Sequence, residues 1–147
     1  MEKKRILIID DELGFTRLVK LNLEKTGRYS VRAEDKSRRA MAAAREFDPD
    51  LILLDAILPG LDEDNFETSL RADAELRHIP IVFMTDVSAK KQADATAVTN
   101  AGGPLLTKPV SLPKLIECIE RNLRLTAPRG TAELWLAPSS AGGSAPV

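Results

Sequence analysis

Three short runs of apolar residues recur along the chain, and none of them alternates with polar residues. They are Ile6–Ile9, Leu51–Leu54 and Ile81–Met84. Uninterrupted apolar runs of this length are typical of strands that are buried on both faces of a parallel sheet. Two weaker candidates are residues 29–33 and 105–107. The pattern therefore predicts five strands.

Helical segments separate the predicted strands. They are expected at residues 15–23, 37–47, 66–76, 89–101 and 112–123. The last has the clearest apolar periodicity, and it follows Ser111, a suitable N-cap, with Pro113 in its first turn. Strands that alternate with helices form βαβ units, whose right-handed crossovers leave few topologies. The predicted fold class is α/β, a doubly wound five-stranded parallel sheet with helices on both faces.

The composition changes after Leu125. Residues 126–147 are rich in Pro, Gly, Ser and Ala, and their only charged residues are Arg129 and Glu133. This composition predicts a domain at residues 4–125 and a flexible tail at 126–147. An apolar island, Leu134–Leu136, holds the only tryptophan of the chain. It could bind a partner or fold back on its own domain, and the sequence favours neither.

Overall composition narrows the function classes. A length of 147 residues suits one domain with a tail, and 44% apolar with 29% charged residues is ordinary for a globular protein. The formal net charge of −1 argues against general nucleic-acid binding, and no apolar run is long enough to span a membrane. A single cysteine, Cys118, excludes an internal disulfide framework. The apolar run after Lys3–Arg5 is too short for a signal peptide, so we expect a cytoplasmic protein.

Polar residues end the predicted strands. Asp10 and Asp11 follow the first strand, Asp55 ends the third, Thr85 the fourth and Lys108 the fifth. The carboxyl ends of parallel strands meet at the edge of the sheet where ligands bind in α/β folds. The sequence therefore predicts that these five side chains share one site.

The residue types at this edge suit phosphoryl chemistry. Three converging carboxylates repel one another unless a cation or a proton relieves them, and Mg2+ with oxygen ligands does so well. Lys108 adds a compact positive charge and Thr85 a hydroxyl, which together can bind phosphoryl oxygens. A carboxylate placed among them can attack phosphorus and form an acyl phosphate.

The ordered set of motifs resembles the receiver domain of bacterial two-component response regulators. The matching segments are Ile8–Glu12, Leu53–Asp55 with Pro59-Gly60 after it, Met84-Thr85 and Thr107–Pro109. Each motif alone is weak, but their order and approximate spacing match over about residues 4–125. The resemblance implies a flavodoxin-like sheet with strand order 2-1-3-4-5.

The resemblance implies a phosphoacceptor site. Asp55 would take a phosphoryl group from a histidine kinase or a phosphotransfer protein. Thr85 would bind that group and move toward it, and Lys108 would pair with it. The chain would catalyse only its own phosphoryl transfer and dephosphorylation, and would not be an enzyme in the ordinary sense.

The resemblance also implies a magnesium site. Asp10 and Asp11 would hold Mg2+ together with Asp55. Ile57, two residues after Asp55, would add its backbone carbonyl. Mg2+ is the only cofactor that the resemblance implies.

A stand-alone receiver signals by changing which partner it binds. The face built from the fourth helix, the fifth strand and the fifth helix would be read by a downstream protein that the sequence does not name. No helix-turn-helix follows residue 125, so direct binding of nucleic acid is not expected. Membrane insertion is not expected either, and a homodimer is compatible with the sequence.

Two departures from the family pattern support an alternative. Leu105 stands where an aromatic residue is usual, and Asp86 stands where a small residue usually follows the threonine. Both favour a phosphorylation-independent adaptor that keeps the fold and signals by constant binding. A third reading is a phosphatase with Asp10 as nucleophile. A flavin protein is disfavoured because no Gly-rich or Ser/Thr-rich loop follows the first strand.

Other polar residues are interpreted without a chemical role. The acidic stretch Asp62–Asp64 is predicted to be a solvated loop, and Arg38, Arg39 and Arg45 a solvated helix face. Ile57 and Val87 are apolar and β-branched, and cannot orient an attacking water through their side chains. We therefore expect slow self-dephosphorylation.

Overall fold

The structure is a computed structural model that describes residues 2–86, 105–108 and 110–125. The helix predicted at 89–101 and the tail predicted at 126–147 lie outside these ranges. Within them, every helix is too short or too polar to cross a bilayer.

The described residues form five strands and four α-helices. In chain order they are β1 (Lys4–Ile9), α1 (Leu13–Lys25), β2 (Tyr29–Glu34), a 3-10 turn (Ser37–Arg39), α2 (Ala40–Phe47), β3 (Leu51–Asp55), α3 (Glu63–Ala72), β4 (Ile81–Asp86), β5 (Leu105–Lys108) and α4 (Leu112–Leu125). All five predicted strands are present. The helix α4 begins after Ser111, whose hydroxyl oxygen accepts a hydrogen bond from the backbone N–H of Lys114 at 3.3 Å.

The strands form one parallel sheet in the order β2-β1-β3-β4-β5. Both the fold class and the strand order are thereby confirmed. Ile8 pairs with Leu53, and Asp86 pairs with Lys108. Because the strands are parallel and in this register, their carboxyl ends lie along the same edge.

The apolar runs are explained by a sheet that is covered on both faces. In β1, Ile6 and Ile8 pack in the core that includes α1 and α4, whereas Leu7 and Ile9 pack in the core that includes α2 and α3. All four side chains are fully buried. Both faces of the strand are therefore apolar, and no alternation with polar residues is left in the sequence.

The predicted third helix ends earlier than its apolar spacing indicated. Ala74 and Leu76 were expected to continue it, but α3 ends at Ala72, because Asp73 adopts an extended conformation. Leu76 is nevertheless buried, in a turn that Arg71 ties down by donating to the carbonyl oxygens of Arg77 and Ile79 at 2.9 and 2.7 Å. The prediction of a longer helix was wrong because Leu76 is buried by the turn. In the sequence, such a leucine cannot be told from one on a continuing helix.

The acidic stretch after β3 is part of a helix. Asp62 is the N-cap of α3, and its side chain accepts a hydrogen bond from the backbone N–H of Asn65 at 3.1 Å. Glu63 and Asp64 begin the helix itself. The predicted solvated loop was therefore wrong. Acidic residues are favoured in the first turn of a helix because they accept hydrogen bonds from the unpaired N–H groups there. They also interact favourably with the positive end of the helix dipole.

A charge-balanced group surrounds the end of β2, and we call it the Glu34 cluster. It consists of Glu34, Arg32, Arg39 and Glu46. The carboxylate of Glu34 lies 3.9 Å from Arg32 and 3.6 Å from Arg39, and both arginines also contact Glu46. Arg39 is exposed, in agreement with the predicted solvated face, and its pairing with Glu34 is an addition that the sequence analysis did not predict.

Candidate functional site

The carboxyl edge of the sheet brings four predicted residues together. Asp10 directly follows β1, Asp55 ends β3, Thr85 lies one residue before the end of β4, and Lys108 ends β5. All four are buried, although three of them are charged side chains. Burial of charged groups costs free energy, so several of them buried together indicate a functional site.

Three carboxylates form the centre of this edge, and we call them the carboxylate site. It consists of Asp10, Asp11 and Asp55, which can offer oxygen atoms within 4.8 Å of one another. Asp10 is 0% exposed and Asp55 5%, whereas Asp11 is exposed to solvent. Three negative charges at this separation repel one another unless a cation or a proton is added.

The ammonium group of Lys108 lies beside the carboxylate site. Its Nζ is 2.6 Å from Asp10 Oδ2, 3.0 Å from Glu12 Oε1 and 4.0 Å from Asp55 Oδ2. Burial lowers the pKa of Lys108, but the close carboxylates of Asp10 and Glu12 together outweigh that effect and raise the pKa above its usual value. Lys108 therefore remains charged, and it is the one cation paired with these carboxylates among the residues that the structure describes.

Asp55 is held in an environment that disfavours its charged form. Burial raises the pKa of its carboxyl group above the usual value, and the charges of Asp10 and Asp11 add to this rise. The backbone N–H of Ile57, which donates to Asp55 Oδ1 at 3.1 Å, and the charge of Lys108 act in the opposite direction. A cation bound next to Asp55 would favour its carboxylate form, which is the nucleophilic one.

The hydroxyl group of Thr85, near the carboxyl end of β4, is buried. Thr85 is 2% exposed, and its Oγ1 has no hydrogen-bond partner among the described residues. A buried hydroxyl usually has a partner, because an unmade hydrogen bond costs about 1–3 kcal/mol. The O–H of Thr85 is suited to donate a hydrogen bond to a ligand oxygen.

The donor set fits magnesium. Mg2+ prefers a few carboxylate oxygens and keeps several waters. Asp10 and Asp55 supply buried carboxylates, and the exposed Asp11 lies at the solvent side where waters can complete the coordination. Ile57 is adjacent to Asp55 in space through the hydrogen bond of its backbone N–H.

Two further residues belong to this site but were missed as members of it. Glu12 was noted only as part of the acidic motif, and Phe15 only as an apolar residue of the first helix. Glu12 contacts the Lys108 ammonium directly, and the Phe15 ring centroid lies 4.6 Å from Lys108 Nζ. No spacing rule predicts contacts between residues 12 or 15 and residue 108, because they depend on how β5 and α1 meet.

Comparison with known proteins agrees with this geometry. The family model of the response regulator receiver domain matches residues 6–120. The polar-differentiation response regulator DivK of Brucella ovis is 33% identical over 124 residues, which are 84% of this chain and 98% of DivK. The DNA-binding dual master transcriptional regulator RpaA of Synechocystis is 33% identical over 122 residues, which are 83% of this chain. The match spans only 50% of RpaA, so the chain corresponds to half of that protein.

Solved structures show the same fold. A two-component response regulator from Clostridium difficile is 28% identical with a TM-score of 0.67, covering 83% of this chain and 97% of its own. The non-phosphorylated HemR receiver domain from Leptospira biflexa is 25% identical with a TM-score of 0.67, covering 86% of this chain and 99% of its own. By its sequence match, its strand order and the residues at its carboxyl edge, the chain belongs to the family of response regulator receiver domains.

Proposed function

We propose that the chain is a phosphoacceptor signalling domain in which Asp55 takes a phosphoryl group from a histidine kinase or a phosphotransfer protein. The observation that carries this proposal is the buried carboxylate of Asp55, which lies next to two further carboxylates and 4.0 Å from the ammonium group of Lys108. Such an arrangement surrounds a single nucleophile with groups that bind phosphoryl oxygens.

The transfer step is a displacement at phosphorus. A carboxylate oxygen of Asp55 forms the new O–P bond, the N–P bond of the donor phosphohistidine breaks, and its electron pair stays on the imidazole nitrogen. Lys108 and Thr85 bind the oxygens of the transferred group, which limits the negative charge that Asp55 faces. Asp10, Asp11, Asp55 and the backbone carbonyl of Ile57 would hold Mg2+. When bound, Mg2+ supplies the positive charge that neutralises the phosphoryl oxygens.

The remaining parts of the proposal concern output. Phosphorylation shifts a two-state equilibrium and is read by a downstream protein at the face that includes β5 and α4. The helix predicted at 89–101, which was expected to contribute to that face, lies outside the described residues. The division into a receiver at 4–125 and a tail at 126–147 stays a prediction, as do a cytoplasmic location and a homodimer.

The test is a mass measurement on the intact protein after incubation with acetyl phosphate, with and without Mg2+. We expect one phosphoryl adduct that requires Mg2+ and is lost completely in Asp55→Asn. Glu34→Gln is the matched control, because Glu34 is another buried carboxylate that ends a strand at the same edge. Its adduct should equal that of the wild type. An adduct that persists in Asp55→Asn would contradict the assignment.

The alternative is a phosphorylation-independent receiver-like adaptor. It is favoured by Leu105 and Asp86, which the structure places at the start of β5 and the end of β4. Complete absence of an adduct with both acetyl phosphate and phosphorylated kinase, together with unchanged partner binding in Asp55→Asn, would support the adaptor.

A further inference from the structure

The ammonium group of Lys108 has two neighbours for which the proposed mechanism has no use. Asp10 and Asp55 belong to the carboxylate site. The other two are the carboxylate of Glu12, 3.0 Å from Nζ, and the ring of Phe15, whose centroid is 4.6 Å from Nζ. Glu12 is the N-cap residue of α1, and Phe15 is three residues further on. Residues three apart lie on the same side of a helix, which explains why both reach one ammonium group.

Asp10 has two competing partners. It forms the shortest ion pair of Lys108, at 2.6 Å, and it is also a proposed ligand of the metal ion. A cation on Asp10 repels the ammonium group and weakens that pair. Lys108 is only 8% exposed, so water cannot fully replace the lost partner. The affinity for the metal ion is therefore higher if other protein groups stabilise the ammonium group of Lys108 after its pair with Asp10 is weakened.

Glu12 and Phe15 are placed to receive it. Glu12 offers a full negative charge at hydrogen-bond distance, and it is outside the carboxylate site. Phe15 is half-buried and presents its ring to the ammonium within the range where the negative face of an aromatic ring attracts a cation. An aliphatic side chain of similar size would fill the same space without that attraction.

We propose that Glu12 and Phe15 are positioning residues that hold the ammonium group of Lys108 when Asp10 binds the metal ion. This inference rests on the proposed function. The ammonium group stays near Asp55, and the 4.0 Å between Nζ and Asp55 Oδ2 is too long for a direct hydrogen bond. That separation leaves Lys108 able to bind an oxygen of a phosphoryl group on Asp55.

The test compares three variants of phenylalanine residues in the full chain. Phe15→Leu removes the aromatic face without changing charge, and Phe15→Tyr retains it. Phe66→Leu is the matched control, because Phe66 is buried in the core on the opposite face of the sheet. The first readout is calorimetric titration with Mg2+ alone. The second is the rate of adduct formation with acetyl phosphate.

We expect Phe15→Leu to weaken Mg2+ binding by roughly three- to tenfold, the range that corresponds to a partly desolvated cation–π contact. Adduct formation should slow by a similar factor. Phe15→Tyr should restore both values to near the wild type. Phe66→Leu should lower the stability of the fold and leave the Mg2+ affinity unchanged. This control distinguishes an effect on the position of Lys108 from a general loss of fold stability.

The outcomes distinguish this inference from the proposed function. Wild-type Mg2+ affinity in Phe15→Leu, or equal losses in Phe15→Leu and Phe15→Tyr, would overturn the positioning role. If Mg2+ affinity follows the expected order but no variant forms an adduct, the positioning role holds and the phosphoacceptor function fails. If the wild type does not bind Mg2+, both fail.

Discussion

Two groups of charged residues at the carboxyl edge of the sheet differ in their charge balance. Glu34 ends β2 much as Asp55 ends β3, and both are buried. In the Glu34 cluster, two arginines face two glutamates at 2.9–3.9 Å. Among the described residues, Lys108 is the one cation paired with the carboxylate site of Asp10, Asp11 and Asp55, and Glu12 adds a fourth carboxylate beside it.

The difference shows which signal points to a ligand. The Glu34 cluster is neutralised by the protein itself, so it needs no further cation and serves the fold. The carboxylate site has a surplus of negative charge that the described residues do not neutralise. A buried carboxylate at a strand end is therefore not sufficient evidence for a functional site. The uncompensated charge around it is the stronger evidence.

The largest expected effect is on the affinity for Mg2+. Asp10→Asn should weaken Mg2+ binding by at least about tenfold, because even residues that only orient metal ligands are worth that much. Glu34→Gln should leave it unchanged, since its charge is already paired. Calorimetric titration of both variants makes the comparison. Equal losses in both would mean that the net charge of the edge, and not the carboxylate site, binds the ion.

A smaller effect is expected between the loop after β3 and the turn after β2, two segments that follow the strands of the two groups. Gly60, in the loop after β3, has φ +81°, and a Cβ added there would lie 2.8 Å from Ser37 Oγ in the turn after β2. Gly60→Ala should lower the free energy of unfolding by about 1–2 kcal/mol through backbone strain and this contact. Urea unfolding measures it.

Two further variants separate the causes. Adding Ser37→Ala to Gly60→Ala should recover only the part due to the contact, since the positive φ remains. Gly14→Ala is the control, because no atom lies within 4 Å of its Cβ position and it is in α1. It should be neutral or slightly stabilising. Full recovery in the double variant would mean that φ contributes nothing.

Asp55→Asn should stabilise the fold by about 1 kcal/mol at neutral pH, the ordinary size of a single substitution. The pKa of the Asp55 carboxyl group is raised in the fold, first by burial and then by Asp10 and Asp11. Such a group contributes stability below its unfolded pKa, and this contribution is lost as the pH rises through the folded value. The gain from Asp55→Asn should therefore be present at pH 7 and vanish in acid. Urea unfolding of both proteins from pH 7 into acid, without Mg2+, tests whether the difference in the free energy of unfolding has this sign and pH dependence.

The smallest effect concerns the lifetime of the phosphoryl group. Ile57 is 41% exposed beside Asp55, so a polar side chain there would meet both solvent and the site. Ile57→Asn should speed decay of the adduct severalfold, because the new amide can orient an attacking water. Decay is followed by intact mass after removal of the donor. Leu13→Asn, at another exposed apolar position, is the control. An unchanged lifetime in Ile57→Asn would contradict the hypothesis of slow self-dephosphorylation.

The sequence predicted the sheet well because its strands are buried on both faces. Ile6–Ile9 could not satisfy two cores unless all four residues were apolar, so the run itself indicates a central strand. The cap of α3 was also predictable, since Asp62 is of a residue type preferred at the N-cap and acidic residues directly follow it. It was misread because acidic runs were taken only as solvated.

Contacts between segments that are distant in the chain could not be predicted from the sequence. Arg32 with Glu46, and Phe15 with Lys108, depend on the packing of elements against one another. The pattern predicted that Asp10, Asp55 and Lys108 would share an edge. It could not predict that Lys108 would lie closest to Asp10 and not to Asp55.

The pairing of β1 with β3 gives the proposed metal site a thermodynamic consequence for the whole chain. Asp10 and Asp55 lie at the ends of these two strands, which come from separate parts of the sequence, so an unfolded chain has no such site. A ligand that binds only the folded state stabilises it by mass action, by about 2.7 kcal/mol at a hundredfold excess over its dissociation constant. Ambient Mg2+ would then set the folded fraction of a marginal variant before any kinase acts, so that metal supply and protein abundance become linked.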